Sequence, residues 1–120
     1  MKIAIPVEDK SLESPVCASF GRTPYYLVYD LESGQSAFYD NDAAREQGGA
    51  GIKAAQALCD LGAGAVVAVR CGENAAQVLR AAHIACYKAQ DGSAGDNVAA
   101  FKDGKLAALT DIHPGFHRHG

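Results

Sequence analysis

An α/β fold on a mixed five-stranded sheet follows from three observations. Strand-like apolar runs come first, at residues 2–7, 24–31 and 35–40, and from residue 50 onward helical stretches alternate with further strands. The turn Leu31-Glu32-Ser33-Gly34 closes the second and third runs into an antiparallel hairpin. The run Ala65-Val66-Val67-Ala68-Val69 has no polar alternation, which predicts a central strand covered on both faces.

The first strand is Lys2-Ile3-Ala4-Ile5-Pro6-Val7, bounded by Glu8-Asp9-Lys10; Pro6 lacks a donor and predicts the strand's end or an irregularity. Residues 8–24 show no period and read as a long loop, which points either to function or to a plain Ω-loop. This loop carries Cys17, Ser19, Phe20, Gly21 and Arg22. After the polar segment Asn41 to Gln47, Ala50, Ala54, Ala57, Leu58 and Leu61 recur at helical spacing and predict a helix from about Ala50 to Leu61, stopped by Gly62-Ala63-Gly64. Strand four is expected at 65–70. A second helix, about Asn74 to Ala82, buries Ala75, Val78, Leu79 and Ala82. Ile84 to Tyr87 is a short strand, Asp91-Gly92-Ser93 a turn and cap, and about Ala94 to Phe101 a third helix. Leu106 to Leu109 is a short extended segment, and residues 110–120 form a tail containing His113, His117 and His119.

This order makes the first three strands an antiparallel meander. A right-handed crossover through the first helix lays strand four parallel to strand one. The loop with Cys17 and Arg22, the start of the first helix, Cys71-Gly72 and Gly92-Ser93 then share one edge of the sheet. The crevice between the ends of strands one and four is the expected ligand site. Gln47-Gly48-Gly49-Ala50-Gly51-Ile52 leads into the first helix at that edge, where unpaired N–H groups can hold an anion; the same composition also makes an ordinary connector.

Of the four cysteines, Cys59 and Cys86 are expected in the core. Cys17 and Cys71 are candidate soft-metal ligands facing the crevice, although two thiols are half of an ordinary iron–sulfur set. No Cys-x-x-Cys pair or zinc spacing occurs, and disulfides are not expected. The histidine tail reads as a solvated end or as a source of outer ligands from His117 and His119.

With 120 residues and 48% hydrophobic composition the chain is expected to form a single domain over residues 1–109, followed by the tail. A net charge of -3 supplies no basic field for nucleic acid, and no apolar run reaches transmembrane length. The amino-terminal residues lack a signal-peptide pattern, so a cytoplasmic location is expected. The sequence carries no signal for oligomeric state.

Met1-Lys2-Ile3-Ala4-Ile5-Pro6, then Phe20-Gly21-Arg22-Thr23-Pro24-Tyr25-Tyr26, then Gly48-Gly49-Ala50-Gly51-Ile52 with Ala54-Ala55-Gln56 resemble, in that order, the dinitrogenase iron-molybdenum cofactor biosynthesis family. The resemblance covers about residues 1–109. It implies a ribonuclease-H-like three-layer fold and a small accessory protein, not chiefly an enzyme, that binds or carries a metal–sulfur cluster. That cluster would be an iron–molybdenum cofactor precursor or a molybdenum–copper sulfide. It would pass from a cluster donor protein to a recipient protein. Ser19 stands where many relatives have a histidine, and Arg70-Cys71-Gly72-Glu73-Asn74 replaces a more glycine-rich turn.

On this reading Cys17 and Cys71 ligate metal or cap sulfide, with His117 or His119 as outer ligands. Gly48, Gly49, Ala50, Gly51 and Gly72 offer backbone to the cluster, and Arg22 supplies positive charge. Two other functions share the fold. A two-metal nuclease or phosphotransferase needs converging carboxylates, and Arg70-Cys71 stands where one would be useful. A regulatory domain would bind nothing inorganic.

Overall fold

The structure is a computed structural model that describes residues 1–45 and 48–109. Its elements are β1 (Lys2–Val7), β2 (Tyr25–Asp30), β3 (Ser36–Asp40), a 3₁₀ helix (Asp42–Arg45), α1 (Ala50–Asp60), β4 (Ala63–Ala68), α2 (Glu73–Ala81), β5 (Ala85–Lys88) and α3 (Ala94–Lys102). The sheet order is β3-β2-β1-β4-β5. β1 pairs antiparallel with β2 and parallel with β4, β2 pairs antiparallel with β3, and β4 pairs parallel with β5. The meander and the crossover are therefore as the sequence predicts.

Side chains alternate across the sheet with the period of two that extended backbone imposes. Ile3, Ile5, Val7, Leu27, Ala65 and Val67 pack toward α3, with Ala94 and Val98. Ala4, Tyr26, Val28, Val66 and Ala68 pack toward α1 and α2. The second layer is built from small residues, Ala54 and Ala55 on α1 and Ala75 and Ala76 on α2. Their size brings the two helices close together: a Cβ on Gly51 would lie 3.3 Å from the Ala75 Cβ.

Most element bounds fall within a residue of expectation, and two features differ by more. β4 runs Ala63–Ala68, two residues earlier than the expected 65–70, because Gly62 (φ 82°) ends α1 in one step and Ala63 pairs at once with Lys2. The polar segment after Asn41 contains the 3₁₀ helix, whose Ala43 is buried. α2 begins at Glu73. The extended segment near the end of the described chain does form: Leu109 N–H donates to the Cys86 carbonyl at 2.9 Å and Lys88 N–H to that of Ala107 at 2.8 Å.

The long loop after β1 is ordered by a buried side chain. Ser14 Oγ accepts from the N–H groups of Glu8 and Asp9, each at 3.0 Å, and donates to the Pro15 carbonyl at 2.8 Å. Val16 then bridges to Val7, and Pro15 to Ser93. Among the described residues no helix is long and apolar enough to cross a membrane. The tail from residue 110, with His117 and His119, lies outside the described residues.

Candidate functional site

Beyond the carboxyl ends of β1 and β4 a cleft of about 680 Å³ opens between residues 18–22, the first turn of α1 and the stretch Arg70 to Ala75. That is within the range of small-ligand sites, roughly 300–1,000 Å³. The expected crevice is thus present, and its walls follow from how two helices begin.

α1 starts after Gly49, in a left-handed conformation (φ 71°, ψ 18°), and α2 after Gly72, extended at φ -69°, ψ 160°. Neither residue has a side chain to cap its helix. A Cβ at either position would meet nothing within 4 Å. The N–H groups of Ala50, Gly51 and Ile52, and those of Glu73, Asn74 and Ala75, find no acceptor among the described residues. Unpaired first-turn donors and the positive end of the helix dipole both favour a negative ligand, and here two such ends border one cleft.

Arg22 and Arg70 also line it, both exposed. Arg22 is held in place: Nη1 donates to the Ala44 carbonyl at 2.8 Å, and its N–H to Ser19 Oγ at 2.9 Å. Glu73 is the one carboxylate among the described lining residues.

The thiols are elsewhere. Neither Cys17 nor Cys71 lines the cleft. Cys17 is 8% exposed and its N–H donates to the Pro6 carbonyl at 2.8 Å. Cys71 is fully buried in the core beneath α1 and α2. Burial first, then nearby Cys86, pushes its thiol up to about 12, so it is neutral near pH 7. The Tyr26 hydroxyl is raised too, by burial first and then by Cys71 and Cys17. The expectation that both thiols face the crevice is corrected by one local fact. The two neighbours part ways in the connection between β4 and α2, where Arg70 lines the cleft while Cys71 is buried in the core. Cys59 and Cys86, expected in the core, are half-buried, on the last turn of α1 and on β5.

Of the other residues singled out from sequence, Arg22, Gly49, Ala50, Gly51 and Gly72 line the cleft. Gly48 is exposed just outside it. Arg70, Glu73 and Asn74 were not picked out as site residues. The signal for Arg70 was its place beside Cys71 at the end of strand four. Among the described residues no group of three or more His, Cys, Asp or Glu side chains is placed to hold a metal ion.

The profile of the family described as dinitrogenase iron-molybdenum cofactor matches residues 1–104. An uncharacterised protein of Methanocaldococcus jannaschii is 29% identical over 109 residues, spanning 88% of this chain and 89% of its own. The apo form of the orange protein from Desulfovibrio gigas has a similar structure, with a TM-score of 0.86 at 31% identity over 91% of this chain and 92% of that one. A Thermotoga protein provisionally assigned as NifB gives a TM-score of 0.81 at 34% identity over 99% of this chain and 98% of its own.

Proposed function

The chain belongs to the dinitrogenase iron-molybdenum cofactor family, and from that membership and the chemistry of the cleft we propose that it carries an anionic metal–sulfur cluster as cargo. The observation that carries this reading is the pair of uncapped helix N-termini and two guanidinium groups around one cleft. The donor set fits a cluster of iron–molybdenum or molybdenum–copper sulfide type that brings its own sulfide and negative charge. It fits less well a cluster that needs protein thiolates, because no thiol lines the cleft. Arg22 and Arg70 would neutralise charge, and the N–H groups of α1 and α2 would donate to sulfide or oxide ligands of the cluster. An apo form of the orange protein implies a loaded one for that relative. As cargo, the cluster arrives from a donor protein and leaves to a recipient. Non-covalent holding suits that transfer.

A two-metal nuclease has less support. Among the described lining residues Glu73 stands alone as a carboxylate, whereas two ions need several converging on them.

Anaerobic reconstitution with iron, molybdate or copper and sulfide tests the proposal, read by elemental analysis and visible absorption. Stoichiometric uptake is expected. Replacing Arg22 and Arg70 together by Ala should weaken retention by about tenfold or more, the scale of a lost charge-assisted hydrogen bond. Wild-type protein that takes up no stoichiometric metal, or uptake indifferent to the arginine pair, sinks the reading. Cys17→Ala with Cys71→Ala separates the ligand sets: lost uptake means thiolate ligation, and retained uptake means holding by amides and guanidiniums.

A further inference from the structure

The loop from Ala18 to Arg22 forms one wall of the cleft, and its carbonyl oxygens, with that of the adjoining Thr23, are the groups that would repel an anion there. Side chains from behind the wall hold these oxygens. The buried Tyr26 hydroxyl donates to the Phe20 carbonyl. Asn41 Nδ2 donates to the Gly21 carbonyl at 3.0 Å and to the Thr23 carbonyl at 2.9 Å. Neither Tyr26 nor Asn41 lines the cleft. Both are buried, and the Tyr26 ring packs edge-on against Phe20 with centroids 5.6 Å apart.

A planar trans peptide sets C=O and N–H on opposite sides. Drawing the Phe20 oxygen toward Tyr26 therefore turns the Gly21 N–H the other way, and Gly21 lines the cleft. That N–H has no acceptor among the described residues. The next peptide behaves alike: the Gly21 oxygen goes to Asn41 while the Arg22 N–H donates to Ser19 Oγ, also on the cleft. The wall has little room to move inward. A Cβ on Gly21 would stand 2.9 Å from the Gly51 nitrogen, at the start of α1.

We propose that Tyr26 and Asn41 are positioning residues of the cleft: they hold the Phe20, Gly21 and Thr23 carbonyls inward, and so present the Gly21 N–H to the cargo as a further donor. This rests on the anionic-cargo reading for its purpose but not for its test. Two variants report on it. Tyr26→Phe removes one oxygen and keeps the ring against Phe20, and Asn41→Ala removes the other anchor should the first fail to fold. A third, Val98→Ala, opens the core on the α3 side, far from the loop.

Amide hydrogen exchange of the apo protein over residues 19–23 should rise by about tenfold in each anchor variant, with residues 94–102 of α3 near the wild-type rate. In Val98→Ala the loop should exchange as in wild type. In protein reconstituted with iron, molybdate and sulfide, the anchor variants should release the chromophore several-fold faster at unchanged stoichiometry, and Val98→Ala should not. The inference is overturned if Tyr26→Phe and Asn41→Ala lose stability as Val98→Ala does, with loop exchange and release unmoved. Wild-type protein that takes up no chromophore sinks the cargo reading alone, and the exchange measurement still decides whether the anchors set the loop.

Discussion

The three helices begin at the same edge of the sheet, yet their first turns are treated in opposite ways. At α3 every early N–H has an acceptor. Ala94 donates to the Ser14 carbonyl and Gly95 to that of Leu12, each at 2.8 Å, Asp96 donates to Ser93 Oγ at 3.0 Å and Asn97 to the Ser93 carbonyl at 3.1 Å. Asp96 accepts in return from the Ser93 N–H, completing a capping box. At α1 and α2 the corresponding donors have no such partners among the described residues, and glycine occupies both cap positions. A capping side chain is worth about 1 kcal/mol over alanine but only a few tenths over glycine, so this chain forgoes a little stability on one face and secures it on the other. The difference teaches where a ligand belongs: on the face whose donors find no acceptor among the described residues.

The largest expected effect comes from the groups beneath the uncapped ends. Cys71, Cys86 and Tyr26 all lie on the α1 and α2 side, and each is raised, chiefly by burial. In the unfolded chain a thiol ionises near 9, whereas folded Cys71 keeps its proton to about 12. The unfolded state therefore releases the proton first as pH rises. Stability is fully present below about pH 9 and falls toward pH 12, by no more than about 4 kcal/mol at about 1.4 kcal/mol per pH unit. Denaturant unfolding against pH should show this loss, and Cys71→Ala should flatten its part of the slope. Alkylation below pH 9 should reach the half-buried Cys59 and Cys86 before Cys71.

Next in size is Gly21→Ala, which tests the packing that makes the α1 side a cleft. The added Cβ would meet Gly51 backbone at 2.9 and 3.0 Å, and backbone cannot rotate away as a side chain can. A loss of about 1–3 kcal/mol in denaturant unfolding is expected, together with weaker cluster retention. Ser93→Ala tests the other side. Removing the cap should cost about 1 kcal/mol and leave metal uptake at the wild-type level. Uptake that fell with Ser93→Ala would mean that the two faces are not separate in function.

Much of this contrast was legible in the sequence. Ser93 with Asp96 three residues on is a capping signature, and Gly48-Gly49 and Gly72 offer no cap. The hairpin and the central strand were legible because burial on one or both faces imprints alternation or an unbroken apolar run. What failed depended on neighbours distant in sequence. Gly64 read as part of a helix stop, but it lies in β4 where a Cβ would come within 3.1 Å of the Met1 side chain. The loop after β1 has no period because Ser14 and pairing with Ser93 order it. Arg70 and Cys71 are neighbours in the connection between β4 and α2, yet one lines the cleft and the other is buried, and no local property of either residue says which one faces the cleft.

The smallest expected effect on stability separates the two sides most sharply. Gly72 caps α2 in an extended conformation that any residue can adopt, and a Cβ there meets nothing. Gly72→Asp would place a carboxylate over the N–H groups of Asn74 and Ala75, which find no acceptor among the described residues, beside the positive end of the helix dipole. Capping and the lost flexibility of glycine should together stabilise the apo protein by a few tenths to about 1 kcal/mol, read in denaturant unfolding. The same carboxylate would occupy donors that the cargo needs and add negative charge to an anion site, so cluster retention should fall by about tenfold. A conventional helix end has no reason to couple better capping to poorer binding. Were Gly72→Asp to stabilise the protein and leave uptake intact, the bare turn of α2 would be an ordinary uncapped helix end, and the cleft would rest on α1, Arg22 and Arg70 alone.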